Sequence, residues 1–391
     1  LKVPDTLISP RDAADLVALV ETARSQATKL ASKLVLCSGG SKAAFGAEPD
    51  AAVTRVDMRG FVGIVDYDPA ELVLTVRPGT PLAEVETLLA AHGQMLAFEP
   101  FDHGPIYASA AGAATIGGVI AAGVAGSRRL SRGQARDHLL GFAGVSGRGE
   151  AFVAGAKVTK NVTGYDLPKI ACGSWGQMFA LTELNIKTLP RAELAQTLVI
   201  EGLAPAAAVM AMSRALGSQA SVAAAAHDPA AGLTALRLEG FAASVAARRA
   251  LLQALLAEYG ALSALEERAA EALWQGFRDV AVLADAPLLW RVVVPAGRAP
   301  GLIEALAPID ARWLMDWAGG LLWVGTRADD GLRARVAAAG GHADLVRAHA
   351  AVRRAIPARH PPTPGVAALE ARVRRAFDPD GVFETGRFGI S

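Results

Sequence analysis

Residues 115–137 read TIGGVIAAGVAGSRRLSRGQARD. A run of glycine, alanine and small aliphatics is followed at once by four arginines, Arg128, Arg129, Arg132 and Arg136. Each interior glycine weakens a helix by about 0.5–1 kcal/mol relative to alanine, so a helix chosen for stability alone would not carry so many. A flexible linker would not interleave isoleucine and valine. The tract therefore reads as backbone kept bare for a close approach, with a cationic end.

Other stretches read the same way. KLVLC, 33–37, is a short apolar strand that runs directly into SGGSKAAFG, 38–46, and a further glycine loop covers 173–176. Glycine permits positive φ, and successive N–H groups can then converge into an anion-binding concavity. Taken singly, SGGSK reads first as an ordinary turn. Glycine loops at 39–40, 117–126 and 173–176, each between elements or at a strand end, are better explained by one extended ligand than by independent turns. A dinucleotide fits this description. A flat ring needs bare backbone along one face, a pyrophosphate needs N–H donors, and sugar hydroxyls need small polar groups such as Ser127 and Ser131. The usual nucleotide motifs are missing: there is no GxxxxGK[ST], and no GxGxxG that follows a strand and opens a helix. A nicotinamide-binding Rossmann domain is disfavoured accordingly.

The 391 residues suffice for two or three domains, and 52% hydrophobic with 20% charged residues is a globular composition. The balance of 39 basic and 38 acidic residues gives no general attraction to nucleic acid or an anionic membrane. Cys37 and Cys172 are the two cysteines, too few for a disulfide framework and consistent with a reducing compartment. No CxxC pair is present, so the chain is not expected to carry its own iron–sulfur cluster. LKVPDTLISPRDAADLV lacks a basic region followed by an apolar run, and no signal peptide is expected. The uncharged stretch 104–127 is long enough to span a bilayer, but glycine, alanine and serine contribute too little to insertion.

The first half alternates short strands and helices. Ser9-Pro10-Arg11-Asp12 starts a helix, FVGIVDYD and ELVLTVRPG are strands joined by a turn, and 81–92 is a helix. HLLGFAGV and EAFVAG flank Ser146-Gly147-Arg148-Gly149, a hairpin turn. From about 192 the chain turns alanine-rich. Strand 196–201, helix 205–216, strands near 221–226 and 233–239 and helix 242–259 form one round. Helix 265–279, strand 288–294, helix 299–307, strands 312–317 and 321–326 and helix 330–339 form another. This order predicts a ferredoxin-like sheet with helices on one face, single or doubled. His342 and His349 read as one face of a further helix, and a proline-rich joint at 357–365 precedes a last helix and FDPDGVFETGRF.

The order SGGSK, RPGT, TIGGVIAAGVAGSRRLSRGQARD, KNVTGYDLPKIACGSWG, FDPDGVF resembles the FAD-binding oxidoreductases of the vanillyl-alcohol oxidase and p-cresol methylhydroxylase (PCMH) type. Within them it is most similar to the smaller FAD-binding subunits of bacterial glycolate oxidases. The resemblance implies an α+β chain. A PCMH-type FAD domain at 1–190, with subdomains of about 1–60 and 61–190, is followed by a ferredoxin-like cap at 191–365, and 366–391 returns to the FAD domain. It implies FAD bound between the subdomains, held non-covalently because the first loop has no histidine. By resemblance, Ser38, Gly39, Gly40, Ser41 and Lys42 match the first pyrophosphate loop, and Pro78 and Gly79 the turn beside the cofactor. Thr115, Ile116, Gly117, Gly118, Ala121, Gly123, Gly126 and Ser127 match the second loop, where a side chain at Gly117 or Gly118 would occupy ring or phosphate space. Arg128 is the arginine assigned to the pyrophosphate. Gly173, Ser174, Gly176 and Leu181 match the segment along the ribityl chain and ring.

The resemblance also implies partners: a larger FAD-binding glycolate oxidase subunit and an iron–sulfur subunit, with a small 2-hydroxy acid as substrate of the complex. It implies a cytoplasmic assembly, with or without peripheral attachment to the inner membrane. Oxidising a hydroxy acid needs a proton acceptor and a cation for the carboxylate. Catalytic relatives carry HxGDGNxH in the cap, whereas the comparable stretch here, DWAGGLLWVGT at 316–326, has neither histidine nor asparagine. No catalytic residue is assigned, and no metal ligand. His138 and His360 are weak candidates, Arg278 and Arg291 are carboxylate candidates, and Trp274, Trp290, Trp317 and Trp323 read as pocket lining or core. Glu384 replaces an asparagine expected to reach the flavin, and a carboxylate there would disfavour the reduced anionic ring. Three readings remain open: an electron-relaying FAD subunit, a self-sufficient FAD-dependent 2-hydroxy acid dehydrogenase, and a cofactor-free structural subunit.

Overall fold

The computed structural model describes residues 6–25, 33–49, 53–157 and 165–388. Part of the KNVTGYDL motif, 160–164, lies outside the described residues. The chain forms two compact units, one of residues 1–125, 133–190 and 361–391, the other of residues 126–132 and 191–360.

The first unit holds two main sheets. Strands β1 (Thr6–Ile8), β2 (Lys33–Cys37) and β3 (Val53–Asp57) pair in parallel in the order β1-β3-β2. The helix Ala13–Ser25 carries the chain from β1 to β2, the two strands on either side of β3, and buries Leu16, Val20 and Ala23. Strands β4 (Ile64–Asp68), β5 (Val73–Val76), β7 (Leu139–Ser146), β8 (Ala151–Gly155) and β9 (Phe179–Lys187) form an antiparallel sheet ordered β4-β5-β9-β7-β8. Short β6 (Gln94–Met95) and β10 (Leu189–Pro190) pair separately. The helix Leu82–Ala91 lays Leu82, Val85 and Leu89 onto a core with Phe142, Phe179 and Ile186. Phe142 and Phe179 stack at 5.2 Å, with Phe152 and Phe377 edge-on against Phe179.

The C-terminal segment is woven into this unit. The helix Pro364–Phe377 ends at Asp378, whose carboxylate accepts from the N–H groups of Val382 (2.7 Å) and Phe383 (2.8 Å). That turn aims Val382 and Phe383 into the core beside Leu16, Leu34 and Val56, and Leu34 N–H donates to the Val382 carbonyl. Burial holds the Asp378 carboxyl above its ordinary value.

The second unit is one eight-stranded antiparallel sheet. Its strands are β11 (Leu194–Glu201), β12 (Ala224–Asp228), β13 (Leu233–Gly240), β14 (Ser263–Ala264), β15 (Leu288–Val293), β16 (Arg312–Asp316), β17 (Leu321–Thr326) and β18 (His342–Arg347). The order β14-β11-β13-β12 is that of a ferredoxin-like fold, and β16-β17-β15-β18 is the same order reversed. The second strands of the two repeats meet at His227 and Met315, so the expected sheet is present in doubled form. Helices Pro205–Leu216, Ala242–Leu255, Ala299–Leu306 and Leu332–Ala338 cover one face, over Leu198, Leu236, Trp290, Val292, Leu322 and Val324. Period-two alternation sends Thr197, Arg237, Glu239, Arg291, Asp316 and Trp323 to the other face. There the helix Glu267–Asp279 packs Trp274, whose indole N–H donates to Thr197 Oγ1 at 2.9 Å.

Two sequence expectations change here. His342 opens strand β18 and His349 caps the short helix Ala350–Ala355, so the two histidines do not share a helix face. The last strand of each repeat, β14 and β18, had no strand expectation. β14 is two residues long, and β18 alternates too weakly to separate from a helix.

Asp378 satisfies two buried N–H donors at once. Asp378→Ala should lower stability by about 2–4 kcal/mol, read as a lower urea midpoint with an unchanged slope; a shift below a few tenths would show that the turn does not need the carboxylate.

Candidate functional site

The first glycine loop begins where β2 ends at Cys37. At Gly39 it meets the 102–113 loop backbone to backbone: a Cβ there would lie 1.4 Å from the Ala113 carbonyl oxygen. No other residue fits. The 102–113 loop is itself shaped by Asp102, whose carboxylate accepts from Gly104 N–H (2.8 Å), Gly112 N–H (2.7 Å) and Ala113 N–H (3.1 Å). On its far side the first loop is gripped by Arg387, whose guanidinium donates to the carbonyls of Lys42, Ala43 and Phe45 at 2.6–2.9 Å.

The tract that opened the sequence reading is a short helix, Ile116–Ala122, rather than a bare loop. Thr115 caps it, its Oγ1 accepting from Gly118 N–H, and Gly123 ends it in the left-handed conformation. Gly117 is needed for packing. Its missing Cβ would lie 2.4 Å from Pro78 Cβ, and its N–H donates to the Pro78 carbonyl at 2.8 Å. The space assigned to a ligand at Gly117 is therefore occupied by the Pro78 turn. The third loop joins the same helix: Trp175 N–H donates to the Ala121 carbonyl at 2.9 Å and Gly173 N–H to that of Ile120 at 3.4 Å. Trp175 also stacks on Phe45 of the first loop at 4.5 Å. Loops far apart in sequence thus converge within the first unit. Ser174 lies buried in the third loop, and Leu181 lies buried on β9 opposite Gly144.

The electrostatics of this convergence are unbalanced. Lys42 is buried, and its ammonium has one polar contact among the described residues, Ser41 Oγ at 3.5 Å. Desolvation pulls its pKa down to about 8, with Asp102 acting weakly in the opposite direction. Ser38 Oγ is buried without a hydrogen-bond partner among the described residues. A side-chain carbon at Gly118 would lie 3.9 Å from Lys42 Nζ, which puts the ammonium at the start of the short helix. A positive charge and an orphaned hydroxyl among bare backbone loops fit a phosphorylated ligand such as FAD. Cys37 donates its thiol to the Val56 carbonyl and has its pKa raised by burial, the behaviour of a packing residue.

Gly126, Ser127 and Arg128 belong to the second unit, where each is engaged. Gly126 carbonyl accepts from the Trp317 indole (3.0 Å), Ser127 donates to Asp316 (2.7 Å), and Arg128 pairs with Glu239 (2.7 Å). Arg128, assigned from sequence to the pyrophosphate, thus has a carboxylate partner in its own unit. Arg129 lies over the Trp317 ring at 4.3 Å and Arg291 at 5.2 Å. Trp317 and Ala318 both hold positive φ, 50° and 53°, a strained conformation worth about 1–3 kcal/mol per residue. Arg291 is enclosed by protein yet keeps some exposure, and desolvation lowers its pKa to about 10.

Other sequence candidates fall away from these features. His360 Nδ1 accepts from Ala343 N–H and ties the proline-rich joint to β18, while His138 is buried next to Phe98. Glu384, expected at the flavin, pairs with Arg374 at 2.6 Å. Arg387, Asp102 and Trp175 were missed. A lone arginine near the C-terminus carries no local signal for a loop more than three hundred residues away. Among the described residues there is no cluster of three or more histidine, cysteine or carboxylate groups able to hold a metal, and no helix long and apolar enough to cross a membrane.

Comparison with known proteins gives these features a family. Residues 4–155 match the model described as "FAD binding domain". Glycolate oxidase subunit GlcE of Escherichia coli (strain K12) is 34% identical over 384 residues, covering 93% of this chain and 94% of that protein. Glycolate oxidase subunit GlcD of Bacillus subtilis (strain 168) is 26% identical over 197 residues, 50% of this chain and 39% of that one. An alkyldihydroxyacetonephosphate synthase structure matches with a TM-score of 0.68 at 15% identity, covering 96% of this chain and 76% of that one, which establishes the shared fold. Bare loops around a buried cation, the FAD-domain match and the near full-length identity agree: the chain belongs to the GlcE family of FAD-binding oxidoreductases.

Proposed function

We propose that the protein is the FAD-bearing relay subunit of a heteromeric 2-hydroxy acid (glycolate) oxidase, working with a larger FAD-binding subunit and an iron–sulfur subunit. The observation that carries this reading is Trp317. In the stretch comparable to the histidine- and asparagine-rich segment of catalytic relatives, the chain places an indole that hydrogen-bonds Gly126, next to an aspartate that accepts from Ser127. Those bonds engage Asp316 and Trp317 in holding residues 126–132, and the stretch has no histidine to take the proton of a substrate hydroxyl. Bound FAD supplies a two-electron acceptor. The chain's own contribution is to hold it without a covalent bond, through the 38–42 loop, the Pro78–Gly79 turn, the Thr115–Gly123 helix and the 173–176 loop.

A second reading rests on Arg291. A guanidinium enclosed on the polar face of the second unit, with no hydrogen bond among the described contacts, suits a carboxylate. It favours a chain that takes a hydroxy acid itself.

Tests separate the readings. The purified chain should be yellow and should release its flavin into the supernatant on acid precipitation; flavin retained in the pellet would mean a covalent link, and a colourless chain that refuses added FAD would support a structural subunit. Anaerobic glycolate or D-lactate should leave the 450 nm absorbance of the isolated chain unchanged over minutes. Rapid bleaching, abolished by Arg291→Leu, would favour the second reading. Gly117→Val should push the Pro78 turn away and cut flavin content at least tenfold while the second unit keeps its circular dichroism; full flavin content would show that the turn does not shape the site.

A further inference from the structure

We propose that Lys42 is a proton-linked anchor for the phosphates of the dinucleotide, so that cofactor affinity is set by the protonation of this one buried amine. The inference rests on the FAD reading above and deepens it. Its basis is the geometry around Nζ. The ammonium is buried and, among the described residues, makes no ion pair and has one hydrogen-bond neighbour, a hydroxyl 3.5 Å away. A second buried group, Ser38 Oγ, has no hydrogen-bond partner among the described residues and sits four residues earlier on the same loop. An ammonium removed from water without a counter-charge is costly, and a fold retains one where an anion completes it.

The elements around Lys42 supply little to replace that anion. The Ile116–Ala122 helix and the 173–176 loop contain no titratable side chain. The 102–113 loop contributes Asp102, which acts through space while its oxygens accept three backbone N–H groups. The C-terminal segment contributes Arg387, a second cation, which reaches the loop through the Lys42 carbonyl. The arginine that sequence favoured for this role, Arg128, has Glu239.

The sign of the linkage follows. Without ligand the amine loses its proton near pH 8. A bound phosphate favours the charged form and raises that value. Affinity is then constant below about pH 8 and falls above it, by up to tenfold per pH unit, until the pKa of the bound form is reached. The apoprotein behaves in the opposite sense. Its lysine is depressed below the unfolded value, so it loses stability to this group at neutral pH and regains it as pH rises through 8 towards 10.

The experiment is a titration of deflavinated protein with FAD, followed by flavin fluorescence from pH 6.5 to 9.5, for the natural chain and Lys42→Met. The natural chain should bind with constant affinity to about pH 8 and then weaken at least fivefold by pH 9.5. Lys42→Met should bind at least tenfold more weakly at pH 7 with a flat profile, and its apoprotein should melt at or above the natural temperature at pH 7. Equal affinities at pH 7, or parallel pH profiles, would overturn the role of Lys42 while leaving FAD binding intact. A natural chain that binds no FAD at any pH would overturn this role and the FAD reading together. The pH series on the natural chain is decisive by itself if the variant fails to fold.

Discussion

At Gly39 two stretches of backbone touch with no side chain between them, and the rest of the first unit is arranged to make that contact tolerable. Asp102 shapes one partner by collecting three amides, and Arg387 steadies the other by donating to three carbonyls. Backbone packed this tightly leaves little room for neutralising side chains. Among the described residues a lysine placed among such loops has a single hydroxyl neighbour and a serine has no hydrogen-bond partner, which is how a rigid convergence of loops becomes a receptive one. Rigidity and receptivity have one cause: the site is built from main chain.

Much of this was legible in the amino-acid order, and what was hidden has a consistent character. Local signals worked where the information is local. The helix 205–216, the hairpin at 146–149 and the strand–helix rhythm of the alanine-rich half came from periodicity and turn chemistry. The bare loops at 39–40 and 173–176 and the tract around 117 were visible as glycine runs. Their reasons were visible only in part, since Gly117 is bare for Pro78. Choices of partner across long separations left no trace. Arg128 finds Glu239 over 111 positions and Ser127 finds Asp316 over 189; Glu384, by contrast, pairs with Arg374 only ten positions away, where a flavin contact was expected. Short edge strands failed for another reason: two residues of β14 carry no period, and β18 gains its identity from β15.

The second unit shows one architecture serving two faces. Duplicated repeats bury a single apolar layer under four helices, and alternation then exports arginines, acids and tryptophans to the opposite side. That side holds residues 126–132 through Trp317, Asp316, Glu239 and the Ala223 carbonyl, the last accepting from Ser131 at 2.7 Å. The left-handed pair Trp317–Ala318 is the local strain that positions the indole, and these bonds keep it there.

Arg387 carries a consequence for how the molecule comes into being. Translation is vectorial, and the carbonyls this arginine grips belong to residues synthesised some 345 positions earlier. While the ribosome is still adding the alanine-rich half, the 38–46 segment lacks its final brace. A nascent polypeptide therefore carries this loop without that brace until Arg387 has been made.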